Sequence, residues 1–382
     1  MRLSITGIGL VTAVGHGAAG SCASLRAGVG IPQELLGAEV DSGDGEMTKA
    51  VGCPTGYASG FFQTGAWVRL ADIAVEDLCY RLGVSPEAPE LWSRAVVMAL
   101  APSIVEERFG WDEEDLPDGL RASFAEQLVE ASRVSVPTAQ VHALGAGHCA
   151  LAHGLRQAEH LLGQRHVDRV LLAAADSYLD DSSIAWLAHS HRLKVPDRPV
   201  GIMPGEAGAA LLVETELTAR QRKAEVLGYV EAIAVGAVPS PKAGTNAPPS
   251  QTSSSTPEED VPPSMPAAAP LGRALAEAIR NVLPPAQGGP KFQGDLYLDL
   301  NGENWKASAW GHAQVQLARY VDLDRCRTFV PAESLGETGA ASAGVAVALA
   351  LYNFHKDRTQ RALVLSISDD GSVAAIRLSP PG

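Results

Sequence analysis

Apolar positions along this chain fall into two recurring patterns. Residues 3–8, 94–100, 170–175 and 207–213 form short, nearly unbroken apolar runs, as expected of strands buried on both faces. Residues 68–82 and 151–162 instead space their apolar side chains at helical intervals. The second half shows the same alternation, with 226–234, 296–300, 362–367 and 373–378 reading as strands and 271–282 and 340–352 as helices. Alternation of this kind predicts an α/β fold with a buried sheet. The comparable order of elements hints at an internal duplication, with residues 1–215 as one half and 216–382 as the other. No close sequence identity between the halves accompanies it.

Between the halves the pattern breaks. Across residues 239–270, Pro, Ser, Thr, Ala and Gly crowd out the large apolar side chains, so the segment has little to bury. It reads as a surface loop, either a plain connection or a cover for a partner or a substrate entrance. The acidic run Asp112-Glu113-Glu114-Asp115 reads as a solvated face or loop.

Composition narrows the class. With 382 residues, 46% of them hydrophobic and 19% charged, the chain can bury a large core. A formal net charge of −14 opposes nucleic acid and anionic lipid, so neither is expected as a partner. No apolar run is long enough to span a bilayer and no signal-peptide pattern opens the sequence, which predicts a cytoplasmic protein. The five cysteines (Cys22, Cys53, Cys79, Cys149 and Cys326) are odd in number, scattered and without a CxxC pair. This argues against a disulfide framework and against a structural metal site, and no cofactor is expected.

The stretch Gly147-His148-Cys149-Ala150 carries the candidate chemistry, because it leads into the helix predicted over 151–162. A helix N-terminus lowers a thiol's pKa and makes a cysteine nucleophilic. His153, four residues after Cys149, shares its helix face and can serve as base or orienter. The bland alternatives are a small buried cysteine and a hydrogen-bonded core histidine. The opening Gly7-Ile8-Gly9 is no dinucleotide fingerprint, since Thr12 stands at the third glycine position and no acidic residue ends a second strand.

Several segments in order resemble one family. They are residues 5–15 with Leu25-Arg26-Ala27-Gly28, the elbow before residue 151, Ala173-Ala174-Ala175-Asp176-Ser177, and Gly205-Glu206-Ala207-Gly208-Ala209-Ala210-Leu211-Leu212-Val213-Glu214. With residues 334–350 and 362–378 they are similar to the motifs of the beta-ketoacyl synthases, or ketosynthases. The resemblance implies the thiolase-like fold: two duplicated α/β halves in a layered αβαβα arrangement, their sheets enclosing buried helices, normally dimeric. Active members use a cysteine nucleophile and two histidines.

Here the family's cysteine position meets His148. The histidine of its EAHGTGT motif meets Asn301 within Asp299-Leu300-Asn301-Gly302-Glu303, and that of its GHTxGAAG motif meets Glu337. The terminal GFGG loop reads Ser368-Asp369-Asp370-Gly371. Cys149 stands one residue beyond the nucleophile position, a displacement of roughly 5 Å on a helix, so Cys149 and His153 form an alternative nucleophile and base only if the elbow is shortened. His148 at a helix N-terminus is expected to stay neutral and to hydrogen-bond Asn301 or Glu337.

Three readings follow from this. The first is a non-catalytic, chain-length-factor-like partner of an active ketosynthase in fatty-acid, polyketide or polyene-type synthesis. The second is an acyltransferase using Cys149, and the third a repurposed acyl- or protein-binding scaffold. The expected partner is a ketosynthase subunit or a second copy, with acyl carrier protein engaged through that partner. An edge strand near 169–175 is expected at the interface.

Overall fold

The computed structural model describes residues 1–42, 45–103, 106–109, 117–164, 166–238, 267–284, 290–357 and 359–381. The strands are β1 (Leu3–Thr12), β2 (Gly15–His16), β3 (Gln33–Asp41), β4 (Met47–Gly52), β5 (Ala95–Ala101), β6 (Val141–Gly145), β7 (Arg169–Ser177), β8 (Glu206–Thr215), β9 (Gly228–Ala237), β10 (Asp295–Leu298), β11 (Arg327–Phe329), β12 (Ala362–Ile367) and β13 (Ser372–Ser379). The helices begin with α1 (Ala18–Arg26), α2 (Thr64–Leu82), α3 (Pro89–Trp92), α4 (Glu106–Phe109), α5 (Pro117–Ser132) and α6 (Ala150–Leu162). They continue with α7 (Asp181–His189), α8 (Glu216–Gln221), α9 (Ala268–Val282), α10 (Asn304–Leu317), α11 (Ala332–Leu335) and α12 (Ser342–Asp357).

Ten strands form one path, β11-β10-β12-β13-β9-β1-β8-β7-β5-β6. Numbered within each half, both arms of this path run third, second, fourth, fifth, first, so the duplication hinted at by the pattern is present in the topology. In both arms the second, third and fourth strands are parallel, and the fifth lies antiparallel to the fourth and to the first. The two arms meet through β1 and β9, where Leu3, Ser4 and Ile5 pair with Val230, Tyr229 and Gly228. The β3–β4 hairpin stands apart as a second sheet.

Side-chain alternation sorts the strands into layers. Val96, Met98, Val170, Leu172, Ala209 and Leu211 face inward with Val364, Ala374 and Ile376 of the other arm, and α6 and α12 fill the space between. On the outer face of the first arm, Val97, Ala99, Leu171 and Leu212 pack on α2 and α5. On the outer face of the second, Leu296, Leu363, Leu365 and Ala375 pack on α9 and α10. Both central helices are almost wholly buried on the sheet-facing side, which is why their sequences are rich in Ala and Gly. Gly9 and Gly208 meet α2 where a Cβ would lie 1.9 Å from the Ala74 carbonyl and 2.1 Å from that of Leu70, so only glycine allows this approach.

The structure corrects several expectations. β7 is no edge strand: it lies between β5 and β8, all nine residues buried. Its continuous apolar character reflects burial on both faces, and the half-exposed edge of that arm is β6. Of the segment 239–270, residues 239–266 lie outside the described residues. Ala268, Ala269 and Pro270 open α9, where proline's missing N–H has no helical partner to lose. The acidic run 112–115 also lies outside the described residues. Strand β6, the β3–β4 hairpin and helices α5 and α10 are not apparent in the apolar pattern. The described helices include none long and apolar enough to cross a membrane.

Candidate functional site

Residues 147–149 form a single 3₁₀ turn between β6 and α6. Gly147 enters it at φ +49°, and a Cβ there would meet the hydroxyls of Ser103 and Ser368 at 3.0 and 3.1 Å. The amide of Cys149 donates to the Ala146 carbonyl at 3.0 Å and to Ser368 Oγ at 3.3 Å, and Ser368 Oγ donates on to Ala146 O at 3.1 Å. This turn holds the His148 side chain in the interior, 4% exposed.

His148 Nε2 lies 2.8 Å from Glu337 Oε1. Glu337 is placed by its own backbone, whose amide donates to Met203 O at 2.8 Å, and by Gly336 at φ +67° before it. Its other oxygen accepts from Asn301 Nδ2 at 2.7 Å. The three residues that the resemblance singled out, His148, Asn301 and Glu337, therefore meet in one hydrogen-bonded cluster, with Glu337 at its centre.

The cluster extends to residues that the sequence did not single out. Asn301 Nδ2 also reaches Glu303 Oε2 at 3.1 Å. Arg192 grips Glu303 with Nε and Nη2 at 2.7 and 2.8 Å, and its Nη1 holds Asp369 at 2.9 Å. Lys306, fully buried in the first turn of α10, lies 3.4 Å from Asp299 Oδ2. Three cations (His148, Lys306 and Arg192) thus face four carboxylates (Glu337, Glu303, Asp369 and Asp299). Two signals were available, the acidic Glu303 inside the segment 299–303 and Asp369 inside 368–371, both quoted for the resemblance. Arg192 and Lys306 carry no local signature.

Electrostatics follow from burial set against these partners. Burial opposes a charged His148, but the Glu337 carboxylate more than offsets it and raises the imidazole above its ordinary value. The expectation of a neutral imidazole is therefore corrected, because the carboxylate outweighs the helix terminus. Burial also works against a charged Glu337, yet His148 and Lys306 hold it well below the carboxylate range. Lys306 is raised in spite of burial by Asp299 and Glu337. Both shifts favour the charged forms, an imidazolium against a carboxylate.

Cys149 behaves differently from the sequence expectation. Its side chain is completely buried, and burial pushes the thiol far above its usual value, followed by the repulsion of Asp299 and Asp370. Desolvation overrides the helix terminus, which is the physical reason the expected activation is lost. Its Sγ points to the Ser366 carbonyl at 3.9 Å. His153 is half-buried, its pKa lowered by burial and then by Arg156, and among the described residues no hydrogen bond joins it to Cys149. The cavity beside Glu337, lined also by Asp299, Thr338, Ser342 and Ser366, measures about 20 Å³. That is room for about one water and far too little for an acyl chain. No group of three or more His, Cys, Asp or Glu among the described residues is arranged to hold a metal ion.

No protein-family model and no curated protein matches the chain. Solved structures do. A ketosynthase from module 6 of the bacillaene synthase of Bacillus subtilis 168 superposes with a TM-score of 0.72 at 12% identity, covering 100% of this chain and 72% of that one. The ishigamide ketosynthase/chain length factor matches with a TM-score of 0.63 at 18% identity over 100% of both chains. A type II polyketide synthase ketosynthase, solved with its acyl-carrier protein and bound to the hexaketide, matches at 0.70 and 13% identity over 100% of this chain and 99% of that one. The layered, duplicated arrangement seen here is thus the thiolase-like fold that these ketosynthases share.

Proposed function

We propose that this chain is a ketosynthase-like subunit that performs no condensation itself and serves as the chain-length-factor-like partner of an active ketosynthase. We take residues 1–215 and 216–382 as its two structural halves. The observation that carries the reading is the buried His148–Glu337 pair at 2.8 Å, formed by two residues that the resemblance aligns with the nucleophile and an assisting histidine. Held against each other in the interior, neither group is free to attack or to stabilise an enolate. The buried, high-pKa Cys149 thiol weighs against the acyltransferase reading in the same way.

The edge of β6, which among the described strands pairs with β5 alone, is the surface we assign to the partner. A net charge of −14 disfavours direct docking of an acidic carrier protein and suits engagement through a partner.

The test is to incubate the chain with acyl-coenzyme A and acyl-carrier donors and measure intact mass, then to co-express it with a ketosynthase encoded beside it. We expect no acyl adduct and a stable complex. An adduct that vanishes in Cys149→Ala would overturn the non-catalytic reading, and a stable monomer that captures no ketosynthase would overturn the partner reading.

A further inference from the structure

An open cleft of about 610 Å³ lies beside α1 and the last turns of α12, and no member of the buried charged cluster lines it. That size falls within the roughly 300–1,000 Å³ typical of small-molecule sites. The hollow has a cause in the sequence. Ala18 and Cys22 of α1 and Ala348 of α12 line it with small side chains, while Arg26 ties the two helices together through Asn353 and Asp357. Leu227, Leu351 and Phe354 supply apolar wall.

Charge in this cleft runs against the rest of the molecule. The chain carries 44 acidic and 30 basic side chains, yet Arg81, His355 and Lys356, all exposed, line the cleft with a single carboxylate, Glu225. Among the described residues no ion pair or hydrogen bond occupies any of these three basic side chains. Two observations place cationic heads at the wall. Lys356 Nζ lies 5.7 Å from the ring of Tyr352, which lines the same cleft. Burial pushes the Cys22 thiol up to about 12, and the Arg81 charge is close enough to pull against it. Asp77, the carboxylate that also acts on Cys22, is taken up by the Leu10 and Ala18 amides at 3.0 and 2.8 Å. Exposed ion pairs are individually weak, so the apolar wall supplies most of the binding and the basic side chains select the head.

We propose that this cleft binds a small amphiphile with an aliphatic body and an anionic head, a carboxylate or a phosphate. The body lies along Leu227, Leu351 and Phe354, and the head is held among Arg81, His355 and Lys356. The cleft shares no residue with the buried cluster or with β6, so its test is independent of the acylation and partner assays.

Octanoate, octyl phosphate and neutral octanol share an aliphatic body, and each is titrated calorimetrically into the full chain at concentrations where it stays monomeric. We expect saturable binding of at least one anion, about tenfold or more tighter than octanol, a difference of about 1.4 kcal/mol; the tighter anion names the head. Arg81→Gln and Lys356→Gln should each weaken that anion about threefold, as loss of an exposed ion pair does, and leave octanol unmoved. Glu225→Gln should tighten it. Ala19→Glu sets a carboxylate on the exposed first turn of α1 beside the cleft, where an acid suits the helix terminus, and should weaken the anion several-fold with no loss of thermal stability. Arg319→Gln removes one exposed positive charge away from the cleft and should bind as the wild type does. Octanol binding as tightly as both anions, no saturation by either anion, a folded Ala19→Glu protein that binds like the wild type, or an Arg319→Gln loss equal to that of Arg81→Gln would each overturn the proposal.

Discussion

The elbow before α6 has a counterpart before α12, and the two make a natural comparison. Each begins with a left-handed glycine, Gly147 at φ +49° and Gly339 at φ +45°, makes one 3₁₀ turn and opens a central helix. Each turn is closed by an equivalent backbone bond of 3.0 Å, Cys149 N to Ala146 O and Ala341 N to Thr338 O. Their caps differ. The turn before α12 is met by carboxylates, with Gly339 N donating to Glu337 and Ala340 N to Asp176. Anions at a helix N-terminus are favourable. The turn before α6 is met by the neutral hydroxyl of Ser368 and itself carries the cation His148. Glu337 serves both, capping one helix while neutralising the cation at the other. The same backbone device is thus a plain helix start in one half and a charged, buried cluster in the other, and the difference lies in which side chains occupy it.

The largest effect should come from removing the shared carboxylate. Glu337→Gln leaves His148 and Lys306 buried with less counter-charge and should cost about 3–5 kcal/mol in urea unfolding. A loss below about 1 kcal/mol, the value of an exposed ion pair, would mean that the cluster is solvated and the comparison misdrawn.

The two glycines sharpen it next. Alanine at either position takes on a left-handed conformation costing roughly 1–2 kcal/mol. At residue 339 its Cβ would also sit 1.9 Å from the Asp176 carboxylate, whereas at residue 147 it would meet two movable serine hydroxyls at 3.0 Å or more. Gly339→Ala should therefore be clearly the more destabilising in thermal unfolding, and equal losses would contradict the account of the two caps.

Ser368→Ala removes the neutral cap and should cost about 1 kcal/mol by the same measurement. An unchanged stability would show that the elbow before α6 holds its shape without it.

The smallest signal is a slope. Because His148 is raised above its ordinary 6.5, its contribution is complete below that pH and is lost as pH rises through the folded value. Glu337, lowered from 4.5, contributes fully above that pH and loses its contribution as pH falls through its folded value. Stability should thus decline from neutral towards alkaline pH in the wild type and decline less in His148→Gln. Parallel profiles for the two proteins would assign the slope to other groups.

Much of this was legible in the chain itself. Runs such as 170–175 and 207–213 read as buried strands and 151–162 and 340–352 as helices, and β7, β8, α6 and α12 lie there. Ordered motifs also pointed, by resemblance, to His148, Asn301 and Glu337, and these three side chains meet in one cluster. Such runs and motifs are local properties, set by side-chain period and by the identity of residues in a short window.

What the tertiary structure alone decided was who meets whom. His148 and Glu337 are 189 residues apart, and Arg192 and Asp369 are 177 apart. No periodicity carries such pairings, yet the first of them raises the His148 imidazole against its burial. The same holds for Cys149, which a helix terminus would activate but a closed core silences, and for β7, whose apolar run is the same for a strand at an edge or in the middle. Charge state and exposure depend on desolvation and on partners brought in from other elements, so they exist only once the chain has folded.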